Sequence, residues 1–153
     1  MTGEIAFRRA KQADVSTIVA MLADDPLGSG RENISEPLAE GYFKAFAAID
    51  ADPNQLLAVM TEDGRTVGTL QLTFIAGLSR QGALRGQIEA VRVIWDRQGQ
   101  RLGQKLIEWA VEQCRKRGCR VVQLTTDRSR HDAHRFYERL GFKQSHLGYK
   151  IDL

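Results

Sequence analysis

The stretch IEAVRVIWDRQGQRLGQKLIEWA, Ile88–Ala110, decides the fold. Its first residues continue a β-branched run, Gln87–Val93, that reads as a strand. A polar loop follows. Arg101–Arg117 then reads as an amphipathic helix, with Leu102, Leu106, Trp109, Ala110 and Cys114 on one stripe and Gly118 as its stop. The first N–H groups of a helix lack intrahelical partners and carry partial positive charge, so a loop wrapped over them suits a phosphate or pyrophosphate. Gly99 and Gly103 permit close backbone approach. A plain helix start with two convenient glycines would show the same spacing. No Walker lysine followed by Ser or Thr is present, and no Gly-x-Gly-x-x-Gly, so neither the nucleoside triphosphate nor the dinucleotide loop is met.

Outward from this segment, Leu56–Thr61 and Val67–Ile75 flank Glu62-Asp63-Gly64-Arg65 and predict a β-hairpin. Ile5–Arg9 reads as a strand. Asp14 is placed to cap a helix carrying Val15, Ile18, Val19 and Leu22. Asp24–Asn33 is rich in turn residues. Glu36–Ile49 reads as a helix with Leu38, Tyr42, Phe46 and Ile49 on one face. After the central helix come a strand at Val121–Thr126, a helix at Asp132–Leu140 closed by Gly141, and a final strand region at Phe142–Ile151. The expected order is β-α-α-β-β-β-α-β-α-β: an α/β (α+β mixed) fold with a mixed, mostly antiparallel sheet, as a single domain over 1–153.

Composition narrows the function classes. The chain has 153 residues, 42% hydrophobic and 27% charged, with a net charge of +3. Lys and Arg are interspersed with Asp and Glu, too mild and mixed a balance for nucleic acid. No run approaches the roughly 20 apolar residues of a membrane span, and MTGEIAFRRA lacks a signal-peptide core. Cys114 and Cys119 form no CxxC and have no ligand-spaced His or Asp, so reduced thiols, no metal and a cytoplasmic location are expected. His131, His134 and His146 form no metal set.

Gln98-Gly99-Gln100-Arg101-Leu102-Gly103 resembles the acyl-CoA pyrophosphate loop of the GNAT superfamily of N-acetyltransferases, Gln/Arg-x-x-Gly-x-Gly/Ala; Arg101 replaces its middle glycine. DAHRFYERLGF, Asp132–Phe142, resembles the late helix of that superfamily through Ala133, Phe136, Tyr137, Glu138, Leu140, Gly141 and Phe142. Arg130 stands where relatives often carry Asn. The resemblance spans nearly the whole chain. It implies acetyl-CoA as co-substrate, with the pantetheine arm bonded to the main chain of Val91, Arg92 and Val93, and with Arg130, Ala133 and Phe136 beside the coenzyme. It places the acceptor pocket in Asp24–Ile49 and Ile75–Gly86, and dimers are common among relatives.

Acetyl transfer to an amine needs a held thioester, a neutral amine and a protonated leaving thiolate. An alkylamine with a pKa of about 10.4 is mostly protonated at neutral pH, so a base is required. Glu89 is the candidate. On a period-2 strand it would share a face with Val91 and Val93, and apolar neighbours raise a carboxyl pKa. The bland alternative is a strand glutamate paired with an arginine. Tyr137 matches the family tyrosine near the coenzyme sulfur, where a phenol can donate a proton to the thiolate; a ring packed in the core is its alternative. Asp24, Asp25, Glu32, Glu36 and Glu40 could receive a cationic amine, as could any acidic surface helix. A non-catalytic acyl-CoA-binding regulator on the same fold is the competing function.

Overall fold

The computed structural model describes residues 3–99 and 101–153. Its centre is the hairpin of β2 (Gln55–Glu62) and β3 (Arg65–Ile75). The turn residues Asp63 and Gly64 have φ of 50° and 83°, the left-handed pair of a type I′ turn whose twist matches that of the strands. β1 (Ile5–Arg9) pairs antiparallel with β2, and β4 (Arg85–Val93) antiparallel with β3. β5 (Val121–Leu124) completes the order β1-β2-β3-β4-β5. The Arg120 amide donates to Leu84 O at 3.0 Å, and the Gln123 side-chain amide to Gln87 Oε1 at 2.8 Å. Both partners advance together, so β5 runs parallel to β4 and the sheet is mixed.

Strand register sorts the side chains onto two faces. Ala58, Met60, Leu70, Leu72 and Ile88 point to one face and are fully buried. Helix α3 (Leu102–Lys116) covers them with Leu102, Leu106, Ile107, Ala110 and Cys114. Each of the Leu, Ile and Met side chains among them contributes about 1.5–3 kcal/mol on leaving water. Trp109 lies flat against Phe7 at 5.1 Å, and the Arg117 guanidinium sits 4.2 Å over Phe74. The other face carries Leu57 and Val59 and meets α1 (Val15–Ala23) and α2 (Glu40–Ala51): Ile18, Met21, Leu22 and Phe46 pack there with Ala10 and Ile94.

The chain divides into two compact units, Met1–Gln123 and Leu124–Leu153. The second holds α4 (His131–Arg139), which ends where the amides of Leu140 and Gly141 return to Tyr137 O and Glu138 O, with Gly141 at φ 95°.

Two expectations are corrected. The second helix starts at Glu40, not Glu36, because Pro37 restricts the residue before it to extended torsions. The final strand expected over Phe142–Ile151 is not formed; residues 143–153 carry neither helix nor strand. A strand exists by its ladder. The alternating Leu147, Tyr149 and Ile151 are 75%, 90% and 85% exposed instead of lying on a buried sheet face.

Candidate active site

Strand β4 is irregular at its midpoint. Gln71 of β3 faces Glu89 and Thr69 faces Arg92, so two steps on β3 match three on β4. The extra residue is a β-bulge, and Ala90 takes φ 55° within it. Directly paired residues share a face, so Glu89 lies with Arg92 on the α1/α2 side. This corrects the expected grouping of Glu89 with Val91 and Val93, since Val93 pairs with Gly68 and falls on the α3 side with Ile88. An unbroken period of two could not anticipate an inserted residue.

The same stretch of β4 extends beyond its outer neighbour. The Leu84–Arg120 and Gln87–Gln123 contacts set the register with β5, which ends at Leu124. β4 therefore runs on past the end of β5 to Val93. Along this stretch Val91 O accepts a hydrogen bond from Arg92 Nη1 at 2.9 Å, and an extended strand segment is the kind of surface that takes a ligand as an added strand.

The strand leads into the loop before α3. Gln98 donates its side-chain amide to Val93 O at 3.2 Å, tying loop to strand end. Gly99 has φ 78° and Arg101 φ 60°, ψ 14°. A left-handed torsion at Arg101 explains why the resembled pattern carries glycine there: a side chain costs about 1–2 kcal/mol in that region. No side chain caps the helix. Among the described residues no side chain meets the amides of Leu102, Gly103 and the next residue, the ordinary shortfall of a first turn. Gln100 lies outside the described residues. Trp95 is 77% exposed.

Polar side chains fill the Glu89 face. The Gln87 side-chain amide donates to Glu89 Oε1, the Gln123 amide to Gln87 Oε1, and Arg85 Nη1 to Gln123 Oε1 at 3.3 Å. A continuous hydrogen-bonded chain thus runs from Arg85 to Glu89, whose carboxylate is exposed. Arg92 Nη2 meets Asp25 Oδ2 at 3.0 Å, both side chains under a fifth exposed. The other oxygen of Asp25 accepts the Gly28 amide. Asp25 is therefore engaged by this chain's own cation, and Glu32 is held by the Tyr42 hydroxyl at 3.0 Å.

In the second unit, Ala133, Phe136 and Tyr137 lie on α4 and are half-buried. The Tyr137 ring meets Phe136 at 5.1 Å and Phe142 at 5.8 Å, both edge-on. Arg130 stands at the helix start, its amide on Asp127 O at 3.0 Å, while Asp127 Oδ1 takes the Ser129 amide and hydroxyl. The bulge residue Ala90 and the polar chain through Gln87 and Gln123 escaped sequence reading. Alanine carries no turn signal, and glutamines on alternating strand positions look like ordinary solvated residues. Among the described residues no group of three His, Cys, Asp or Glu is placed to hold a metal, and no helix is long and apolar enough to cross a membrane.

A strand that outruns its outer neighbour leads into a helix start with no side-chain cap, a type of geometry suited to an extended anionic ligand. Residues 17–142 match the Acetyltransferase (GNAT) family, and the chain belongs to that family, an acyltransferase class whose donor is acetyl-CoA. It is 35% identical over 108 residues to an aminoalkylphosphonate N-acetyltransferase of Salmonella typhimurium, covering 71% of this chain and 70% of that protein. Its fold matches the crystal structure of a transcriptional regulator from Bacillus halodurans C-125 with a TM-score of 0.95 and 45% identity, over 98% and 100% of the two chains. It also matches a Trypanosoma brucei acetyltransferase with a TM-score of 0.78 and 26% identity, over 98% and 100%.

Proposed function

We propose that this protein transfers the acetyl group of acetyl-CoA to a primary amine by direct attack in a ternary complex. The bulge at Ala90 carries this reading, because it falls in β4 between Glu89 and the Val91–Val93 stretch that resembles the family's pantetheine-binding strand. The amine nitrogen forms a bond to the acetyl carbon and the carbon–sulfur bond breaks. Glu89, directly or through a water, takes the proton from the amine. Tyr137 gives a proton to the departing thiolate. The main chain of Val91, Arg92 and Val93 binds the pantetheine arm, the Gln98–Gly103 loop takes the pyrophosphate, and Arg130, Ala133 and Phe136 are the further coenzyme contacts that the family resemblance implies. The acceptor is a small-molecule amine, as the name of the Salmonella relative supports. The protein acts in the cytoplasm, with a homodimer as its assembly.

The test is thiol release from acetyl-CoA with a panel of amines. Glu89→Gln and Tyr137→Phe each lower kcat about 10²-fold or more, the usual worth of a general acid or base, while coenzyme binding by calorimetry is retained. The description of the Bacillus halodurans relative as a regulator favours a second reading, an acyl-CoA-binding protein without catalysis. Coenzyme binding with no thiol release from any amine would turn the conclusion to it, whereas unchanged rates in both variants would remove Glu89 and Tyr137 from the mechanism.

A further inference from the structure

A cavity of about 340 Å³ opens at the end of β4 opposite the pyrophosphate loop, lined by Arg80, Gln81, Ala83, Arg120 and Val121. The segments that border it, 76–86 and 117–123, contain Arg80, Arg85, Arg117 and Arg120 and no Asp or Glu. Arg117 is engaged with Phe74 and Pro53 O. Arg80 and Arg120 have no carboxylate partner among the described residues. Arg85 meets only the neutral Gln123 oxygen. Guanidinium groups gathered in a concavity without counter-charge attract an anion, and their planar forks match phosphate and phosphonate oxygens. Backbone geometry supports a built site. Arg80 and Gln81 hold φ of 55° and 61° in succession, a conformation that side-chain-bearing residues rarely adopt.

The cavity is not the coenzyme's. It adjoins the first residue of β4, whereas the loop before α3 adjoins the last, so about 25 Å of strand separates them. Between them runs the chain Arg85–Gln123–Gln87–Glu89. From the Arg85 end to Glu89 is four residues, about 13 Å. We infer that the cavity binds the phosphate or phosphonate group at the far end of an elongated amine acceptor, whose amine reaches Glu89 along this polar floor. This rests on the acetyltransferase reading above and names its substrate class. Coenzyme and acceptor then approach the middle of β4 from opposite ends. A two-carbon aminophosphonate is too short to fill both positions; a chain spanning about 13 Å fits.

Two measurements test this separately. Methylphosphonate is titrated into the protein by NMR in 0.1 M NaCl, with no coenzyme present. Saturable shifts at Gln81 and Val121 are expected, weakened about tenfold in each of Arg80→Gln and Arg120→Gln, exposed substitutions that leave the core untouched. Acetyl transfer is then measured across ω-aminoalkylphosphonates of increasing chain length beside uncharged ω-amino alcohols. KM is expected to be at least tenfold lower for the longer phosphonates, with that advantage lost and kcat kept in the arginine variants. No saturable methylphosphonate binding, or equal KM for charged and uncharged acceptors, overturns the inference while leaving acetyl transfer standing. Arginine-dependent binding with no acetylation of any amine would retain the anion site and overturn its role as an acceptor subsite.

Discussion

Gly86 is a contact point between β4 and α3 behind it. A Cβ built there would lie 2.3 Å from Cys114 Sγ, 3.3 Å from Cys114 Cβ and 3.6 Å from Cys119 Sγ. Ordinary contact begins near 3.4 Å, so Gly86→Ala forces a displacement of about 1 Å in a region at interior density. Cys114 is fully buried and cannot turn its sulfur to solvent. Overpacking of this kind costs about 1–3 kcal/mol. Lower entropy of the unfolded chain returns about 0.5–1 kcal/mol, which leaves a net loss of about 1–2 kcal/mol and a fall in Tm of about 2–8 °C. The assay is urea unfolding followed by tryptophan fluorescence, in a cycle with Cys114→Ala. Removing the sulfur eliminates the 2.3 Å clash and leaves only the 3.3 Å contact, which a few tenths of an ångström relieves. The cost of Gly86→Ala should therefore fall by about 1 kcal/mol in the Cys114→Ala background. Equal costs in both backgrounds, or a single variant as stable as the parent, would refute the reasoning.

Arg101→Gly relieves the left-handed torsion and should stabilise by up to about 1 kcal/mol in thermal unfolding, while Arg101→Val should destabilise by about 1–2 kcal/mol. The Asp14 carboxyl is held below its ordinary 3.8 first by the hydrogen bonds from Arg8, then by the Lys11 amide and nearby positive charge, against the opposing effect of burial. A depressed carboxyl contributes stability that is complete above its unfolded value and lost as pH falls through the folded one. Acid unfolding below about pH 4 should therefore flatten in Asp14→Asn. Burial, then the neighbouring Cys119, pushes the Cys114 thiol up to about 12. It stays protonated at pH 8, and iodoacetamide should leave it unmodified in native protein and label it once unfolded.

Legibility differed from element to element. The Asp-Gly hairpin and the α3 stripe were readable because turn chemistry and helical period are local properties. Trp109 belonged to the predicted stripe and reaches Phe7 from its margin. The bulge was unreadable: Ala90 has no turn preference, and its conformation follows from how β4 must pair with β3. For the same reason the face of Glu89 was assigned one step out of phase. Arg101 looked like a defect in a pattern until its torsion showed why glycine is usual there. The Arg80–Arg120 cavity joins segments that are remote in sequence, so spacing could not reveal it. Leu147, Tyr149 and Ile151 alternate along the region expected to be the final strand, but alternation supplies only a face and pairing needs a neighbour.

The Asp63-Gly64 turn also bears on the order in which the sheet assembles. It joins β2 to β3 across the shortest possible loop, so this pairing closes with little loss of chain entropy. β1 must instead find β2 across two helices, bringing Arg9 to Ala58, and β5 reaches β4 only after all of α3. Such non-local pairings slow folding. The central hairpin therefore nucleates the sheet, β4 zips onto it next, and the strands at either margin dock last. Mutations at Val59 or Leu70 should slow refolding, whereas changes in β1 or β5 should chiefly speed unfolding.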